Sequence, residues 1–185
     1  MRMTITWYLY TFLLFDVVHQ TLAQDTFASV ITALNKEMKY ELENDSTVLN
    51  HINDEFFRGL TQCREYHPMV TDLSFEGVVA VKRADLKQAF HKNYYYRSFS
   101  LNQITFDAPS AAGKFIHVLD LASSWEPESP DQLRPRSNVQ ECINKGGITW
   151  WQIEETVYII MSQAYSMTFE YEKLWKVINK AHRSG

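Results

Sequence analysis

Residues 148–160 read ITWWQIEETVYII, a run dominated by β-branched and aromatic side chains. Such side chains pack well on a pleated surface, so we favour a β-strand for this run. A helix is the competing interpretation, because apolar residues in and just after the run also recur at helical spacing. Those residues are Ile153, Val157, Ile160, Met161 and Ala164.

The segment that leads into this run, NVQECINKGG (138–147), ends in the pair Gly146-Gly147 and carries one carboxylate, Glu141. Before it, residues 123–137 contain three prolines and few apolar groups, which predicts a loop. A strand that starts at the glycine pair would hold Glu141 in place beside the sheet. Glu141 is therefore a candidate functional carboxylate, and a solvated loop glutamate is the alternative.

The rest of the chain alternates between helical and strand-like patterns. The predicted helical segments are residues 26–43, a second helix capped by Asp45 or Ser46 and ending near Phe56, one or two turns at 83–90, and a final helix ending near Ala181. The predicted strands are GVVAV (77–81), SFSLNQITF (98–106) and KFIHVLDLA (114–122). Helices come first and short strands follow, without repeats or an obvious linker, which indicates one α+β domain.

The N-terminal segment has the composition of a secretory signal peptide. Arg2 supplies positive charge, WYLYTFLLF (7–15) is an apolar core, and TLA (21–23) ends in the small residues that precede a cleavage site. We therefore predict a signal peptide at residues 1–23, secretion, and a mature domain at 24–185. A buried or membrane-anchoring helix is the alternative, but the uncharged run is short for a membrane span.

Secretion changes the interpretation of the two cysteines, Cys63 and Cys142. In an oxidising compartment an isolated pair most simply forms one disulfide, so we predict a Cys63–Cys142 bridge. Two buried free thiols are expected if the chain is not secreted. Residues 44–46 read Asn-Asp-Ser, a glycosylation sequon that only a eukaryotic cell would use.

Charge and motif content argue against several classes of function. The chain has 18 basic and 22 acidic residues and a net charge of −4. It lacks a basic run that could follow a phosphate backbone, so nucleic acid is not an expected partner. The six histidines are scattered, and CxxC, HExxH, Walker, GxGxxG and GxSxG motifs are absent from the sequence. We therefore predict no metal site.

Two further segments carry candidate residues. FFRGL (56–60) places Arg58 inside an apolar run, where a guanidinium needs an anionic partner and its planar fork suits a phosphate or a carboxylate. The alternative is a surface arginine paired with a local acid such as Glu55. The stretch Val79-Ala80-Val81 is by composition an ordinary buried strand.

Together these segments resemble the ADP-ribosyltransferase superfamily, most of all its secreted toxins of the heat-labile-enterotoxin type. QECINKGGITWWQI (140–153) resembles the segment in which a catalytic glutamate is followed by Gly-Gly-Ile and then Gln-Ile. KFIHVLDLA resembles the inner strand that precedes that segment. EGVVAVKRADLKQAF (76–90) lies where the family has a Ser-Thr-Ser strand and its helix, and FFRGL resembles the first arginine strand.

The resemblance implies a single domain with N-terminal helices and a split two-sheet β core around an NAD cleft. It implies that Glu141 is the catalytic glutamate and that Arg58 binds the phosphates of NAD. Val79, Ala80 and Val81 would then occupy the cofactor-binding position of Ser-Thr-Ser. NAD cleavage passes through an oxocarbenium-like state, which a positioned glutamate can stabilise.

Two departures from the family pattern bear on whether the protein is an active enzyme, and three functional hypotheses follow. Residues 79–81 offer no hydroxyl to orient the glutamate, and Val139 replaces the Glu or Gln that guides the acceptor. The first hypothesis is a secreted toxin or effector that cleaves NAD and transfers ADP-ribose to a host or target protein. The second is a catalytically weakened relative that binds a partner protein. The third is an unrelated, helix-rich secreted interaction or inhibitor protein.

Overall fold

The computed structural model describes residues 26–48, 75–90, 95–123, 128–133, 147–162 and 170–184. These residues form three helices and five strands, so the predicted mixture of helix and strand is confirmed. In chain order the elements are α1 (26–38), β1 (Glu41–Val48), β2 (Val78–Phe90), β3 (Tyr95–Phe106), α2 (Pro109–Ser123), β4 (Gly147–Ile153), β5 (Thr156–Ser162) and α3 (Tyr171–His182).

The five strands belong to one antiparallel sheet with the order β1-β2-β3-β5-β4. β1, β2 and β3 lie side by side in chain order. β4 and β5 form a hairpin closed by Glu154-Glu155, and β5 is inserted between β3 and β4. β1 and β4 are therefore the two edges, and within the described ranges all strands share this single sheet.

Trp150 and Trp151 show how the sheet acquires two buried faces. They are consecutive in β4, so their side chains lie on opposite faces, and both are fully buried. Trp150 Nε1 donates to Asp120 Oδ1 of α2 at 2.9 Å, whereas Trp151 Nε1 donates to Asn179 Oδ1 of α3 at 2.8 Å. Each indole thus finds an acceptor on the helix that covers its own face.

The face that carries Trp150 packs against α2. Phe115 of α2 lies with its ring centroid 5.5 Å from that of Phe106, in a tilted arrangement. The buried residues of this layer are Val81, Ile104, Phe106, Ala112, Phe115, Ile116, Leu119, Ile148, Trp150, Val157 and Ile159.

The face that carries Trp151 packs against α1 and α3. Its buried layer contains Phe27, Val30, Leu34, Met38, Tyr40, Ala84, Leu86, Phe99, Leu101, Trp151, Ile153, Tyr158, Ile160, Leu174, Val177 and Ile178. Lys180 Nζ of α3 lies 3.0 Å from Glu37 Oε1 of α1, although both side chains are well exposed. The apolar layer therefore holds the two helices in place, because exposed ion pairs contribute little.

The prediction of a strand at 114–122 is wrong, because these residues lie in α2. The helix begins at Pro109, whose fixed φ suits the first helical position. Ala112, Phe115, Ile116 and Leu119 follow the i, i+3, i+4, i+7 pattern and are all buried. The inner strand that the resemblance places here is therefore a helix.

The predictions of helix for 39–43, 45–48 and 83–90 are also wrong. α1 stops at residue 38 because Lys39 adopts the left-handed conformation, with a φ of 61°, and its N–H donates to Asn35 O at 2.9 Å. Residues 83–90 pair with β1 on one side and β3 on the other, and this pairing overrides their local helical pattern. The rest of the second predicted helix lies outside the described residues.

The other predictions of local structure are confirmed where the structure describes them. Residues 78–81 and 98–106 are strands, and the final helix ends at His182. Residues 148–160 have the predicted strand structure, but the single strand that was expected is divided at Glu154-Glu155 into β4 and β5. Residues 128–133, inside the predicted loop, contain neither helix nor strand.

Candidate functional site

Three of the candidate residues from the sequence, Val79, Ala80 and Val81, lie at the start of β2. The β2–β3 register shifts between Val78 and Ala80, which marks a bulge. Val79 is 63% exposed, so the prediction of a buried strand at 79–81 is wrong for this residue, whereas Val81 is 5% exposed and packs against the α2 layer. Ala80 is half-buried. The three side chains therefore do not form one common surface.

The remaining candidates lie outside the described residues. They are Glu141, Arg58, Val139 and the two cysteines of the predicted bridge, Cys63 and Cys142. The signal peptide at 1–23 lies outside them as well. Secretion, the disulfide and the NAD contacts of Glu141 and Arg58 therefore stay predictions.

A network of polar side chains occupies the β2–β3 part of the sheet, on the face that α2 covers further along. It consists of Arg83, Asp85, Ser100 and Asn102, and we call it the Arg83 cluster. Arg83 and Asp85 are the Cα partners of Asn102 and Ser100 across the two strands. Residues two apart in a strand share a face, so all four side chains project from the same side of the sheet.

Short contacts hold three members of the Arg83 cluster together. Ser100 Oγ donates to Asp85 Oδ1 at 2.5 Å, and Arg83 Nη2 donates to Ser100 Oγ at 3.2 Å. Arg83 Nε lies 3.3 Å from the same Asp85 oxygen. Strands in register thus fix an arginine, a hydroxyl and a carboxylate relative to one another.

The pKa of Asp85 reflects this arrangement. Partial burial raises the pKa, but the hydrogen bond from Ser100 and the charge of Arg83 outweigh burial, so the pKa lies below its ordinary value. Asp85 is therefore ionised at neutral pH and is a weak base. Such a carboxylate orients the Ser100 hydroxyl but is poorly suited to activate it as a nucleophile.

Asn102 adds an acceptor that the protein does not use. The residue is 1% exposed, and its Nδ2 donates to Ile159 O of β5 through a long contact of 3.5 Å. Its Oδ1 is buried and has no hydrogen-bond partner. An unpaired buried acceptor costs about 1–3 kcal/mol, and the burial of this oxygen keeps it out of reach of a molecule at the surface.

The cluster is open to solvent on its β2 side. The side chains of Arg83 and Asp85 are 28% and 32% exposed, whereas Ser100 is 7% exposed. Asn44 of β1, which is exposed, borders the cluster and places its Nδ2 at 3.5 Å from Asp85 Oδ2. The charges of Arg83 and Asp85 cancel, and donors and acceptors alternate, so the surface suits neutral polar groups such as hydroxyls and amides.

A second polar group lies deep on the opposite face. Tyr158 is fully buried, stacks on Trp151 at a centroid distance of 5.5 Å, and its hydroxyl lies 2.8 Å from His182 Nδ1. Gln103 Nε2 donates to the same hydroxyl at 3.3 Å, while Gln103 Oε1 has no partner. Because the hydroxyl is enclosed, this group acts in packing.

Burial sets the ionisation of this second group. Burial raises the pKa of Tyr158 far above its ordinary value. Burial also lowers the pKa of His182, because it outweighs the opposing effect of the nearby Glu154 and Glu155 carboxylates. Both side chains are therefore neutral at neutral pH.

Metal binding finds no support in the described part of the chain, where no three His, Cys, Asp or Glu side chains are grouped around a common point. Among the helices of that part, none has the length and apolarity needed to cross a membrane.

The Arg83 cluster was not predicted from the sequence. Its signal is the i, i+2 spacing of polar residues in Arg83-Ala84-Asp85 and Ser100-Leu101-Asn102. A helical interpretation of 83–90 hides that signal, because residues two apart in a helix point in different directions.

Comparison with known proteins adds no relative. No known protein family, curated protein or solved structure matches this chain.

Proposed function

We propose that this protein is a secreted effector that acts by binding a partner protein, and that the Arg83 cluster is part of its contact surface. The observation that carries the proposal is the partly exposed pair of Arg83 and Asp85, whose side chains are fixed through the Ser100 hydroxyl. A partner that presents an amide or a hydroxyl would bond to the exposed parts of Arg83 and Asp85. The proposal holds for a weakened ADP-ribosyltransferase relative and for an unrelated interaction protein alike.

Binding is favoured over catalysis at this site by the state of its groups. Ser100 is bonded to a carboxylate of lowered pKa, so it is not a strong nucleophile. The β2 residues that would replace the Ser-Thr-Ser motif are aliphatic. In the described chain, the segment compared with the family's inner strand is the helix α2.

The first experiment tests the contact surface. The protein is immobilised, and extracellular proteins from the organism that makes it, or from that organism's host, are passed over it. Arg83→Gln removes the charge, and Lys114→Gln, on the exposed side of α2, is the matched control. We expect one or more proteins to be retained by wild type and by the control, and at least tenfold less by Arg83→Gln. The reason is that a hydrogen bond to a charged group contributes roughly 1.5–3 kcal/mol.

Equal retention by all three proteins would show that the Arg83 cluster is not the contact surface. Circular dichroism of each variant must match that of the wild type, so that a loss of retention reports on contact and not on unfolding.

ADP-ribosyl transfer is the second candidate function. It is favoured by β4, which starts at Gly147, the second glycine of the pair, and so enters the sheet at the position that the resemblance to the catalytic segment requires. In this hypothesis Glu141 contacts the ribose of NAD and stabilises the developing positive charge, Arg58 holds the phosphates, and residues 79–81 border the cofactor. The acceptor is a host or target protein.

NAD turnover separates the two candidates. Wild type and Glu141→Ala are compared for nicotinamide release and for transfer of labelled ADP-ribose to added protein, and calorimetry measures NAD binding. The binding proposal predicts equal background rates for both proteins. A rate that falls at least a hundredfold in Glu141→Ala would instead establish the second candidate, since loss of a main stabilising group has effects of that size.

A further inference from the structure

We propose that Asn44 carries an N-linked glycan at the edge of the sheet. Residues 44–46 read Asn-Asp-Ser, and this is the one N-x-Ser/Thr triplet in the 185-residue sequence. The inference rests on the secretion that the proposed function includes, and it requires a eukaryotic producing cell. Any N-glycan on the chain is therefore expected at this one position.

The structure places Asn44 where a glycan fits after folding. The residue is exposed and lies in β1, an edge strand of the sheet. The pairing of β1 with β2 shifts register on both sides of it, between Leu42 and Asn44 and again between Asn44 and Thr47. Attachment at an exposed position of an irregular edge strand requires no buried group to move.

The chemistry keeps the contact that Asn44 already makes. Asn44 Nδ2 bonds to the anomeric carbon of an oligosaccharide carried on a lipid diphosphate. The bond from that carbon to the phosphate oxygen breaks, the lipid diphosphate leaves with the electron pair, and the amide gives up one proton. One N–H remains on Nδ2 and can still point to Asp85 Oδ2, which lies 3.5 Å away. The first sugar would then border the Arg83 cluster.

A glycan here would also protect an exposed strand. The outer side of β1 has no neighbouring strand within the described residues, and an edge of this kind can pair with other chains. Leu42, on the same strand, is 41% exposed, and the flanking Glu41 and Glu43 are exposed as well. A large hydrated group beside these residues would oppose edge-to-edge pairing by its bulk, in addition to the charge of the two glutamates.

The test is peptide mapping of the full chain from a eukaryotic secretory cell line. Peptide N-glycosidase converts a glycosylated asparagine to aspartate, and mass spectrometry then reads the fraction of Asn44 that was modified. We expect modification in wild type and in Ser46→Thr, which keeps the sequon. We expect none in Asn44→Gln or Ser46→Ala. An unmodified Asn44 in secreted wild-type protein would overturn the proposal.

A second version of the chain separates this proposal from secretion itself. In it, residues 1–23 are replaced by an established secretory signal, so that entry into the pathway does not depend on the native N-terminus. Modification of Asn44 in this version alone would support the site and refute native secretion. An unmodified Asn44 in this version would refute the site whatever the native chain does.

Discussion

Tyr158→Phe tests whether the buried polar group on the α1–α3 face is held together by one hydroxyl. The phenylalanine ring keeps the stack on Trp151, whose centroid lies 5.5 Å away at an interplanar angle of 19°. The hydroxyl is lost, and with it the contacts to Gln103 Nε2 at 3.3 Å and His182 Nδ1 at 2.8 Å. The substitution therefore changes hydrogen bonding while leaving the packing almost intact.

The expected magnitude follows from which atoms are left unpaired. Gln103 is 2% exposed, so its Nε2 cannot turn to water, whereas His182 is only partly buried and can do so. One stranded buried donor costs about 1–3 kcal/mol, so we expect Tyr158→Phe to lower the free energy of unfolding by that amount. Gln103→Met should be close to neutral, because it removes one bond together with an Oε1 that has no partner.

The assay is a double-mutant cycle by urea unfolding at about pH 8, where His182 is neutral. In the Gln103→Met background no donor remains to be stranded. We therefore expect Tyr158→Phe to cost about 1 kcal/mol less there than in the wild type. The same cost in both backgrounds, within about 0.3 kcal/mol, would refute the assigned network.

Three further predictions concern ionisation and the opposite face. Burial lowers the pKa of His182 in the folded protein, so as the pH falls below about 6.5 this side chain is protonated in the unfolded chain before it is protonated in the folded one. The free energy of unfolding should therefore decrease from about pH 6.5 down to the lower folded pKa. Urea unfolding at several pH values should show this decrease, and His182→Gln should reduce it. Ser100→Ala should raise the pKa of Asp85, which an NMR titration of its carboxyl carbon measures, and an unchanged pKa would contradict the hydrogen bond. Trp150→Phe removes the indole donor to the buried Asp120 carboxylate, so it should lower the free energy of unfolding by roughly 1.5–3 kcal/mol, measured by thermal or urea unfolding. A decrease below about 0.5 kcal/mol would contradict a stabilising role of this hydrogen bond.

The strand structure of residues 148–160 was predictable from composition because these residues have one structural preference, although one strand was expected where β4 and β5 form a hairpin. Trp150, Trp151 and the branched residues of β5 are strand formers, and both faces of these strands are buried, so local preference and burial agree. The tight turn was less clear, because Glu154, with a φ of 53°, adopts a conformation that is uncommon for residues other than glycine.

The misassigned segments have physical causes. In α2 the helical pattern starts at Ala112, before the apolar run 114–122, and within that run alone the side chains also fit a strand. In β2 the strand conformation is imposed by pairing with residues that are distant in sequence, since Arg83 and Asp85 pair with Asn102 and Ser100 of β3. Local periodicity contains no information on such pairing, so the Arg83 cluster could not be assembled from the sequence.

The position of β4 defines what the ADP-ribosyltransferase hypothesis requires. β4 is an edge strand, and β2 lies three strand spacings away, about 14 Å across the sheet. The register places Gly147 level with Leu86 and Ala80 level with Ile153, which adds about 20 Å along the strands, so Gly147 and Ala80 are about 24 Å apart. Glu141 precedes Gly147 by six residues, which extend over at most about 20 Å. Even a fully extended connection falls short of the diagonal by about 4 Å, so Glu141 can meet residues 79–81 only through its side chain and only if the connection runs straight along that diagonal.

This requirement makes Val79 an informative probe, because its side chain is 63% exposed at the start of β2 and free to report on a nearby ligand. If NAD binds between Glu141 and β2, its addition must shift the methyl resonances of Val79, and Glu141→Ala must weaken that shift. The buried methyls of Leu174 in α3, on the other face, serve as the control and should not move. Unchanged Val79 methyls at saturating NAD would exclude the arrangement that the catalytic hypothesis needs, and would leave partner binding as the function that agrees with the described fold.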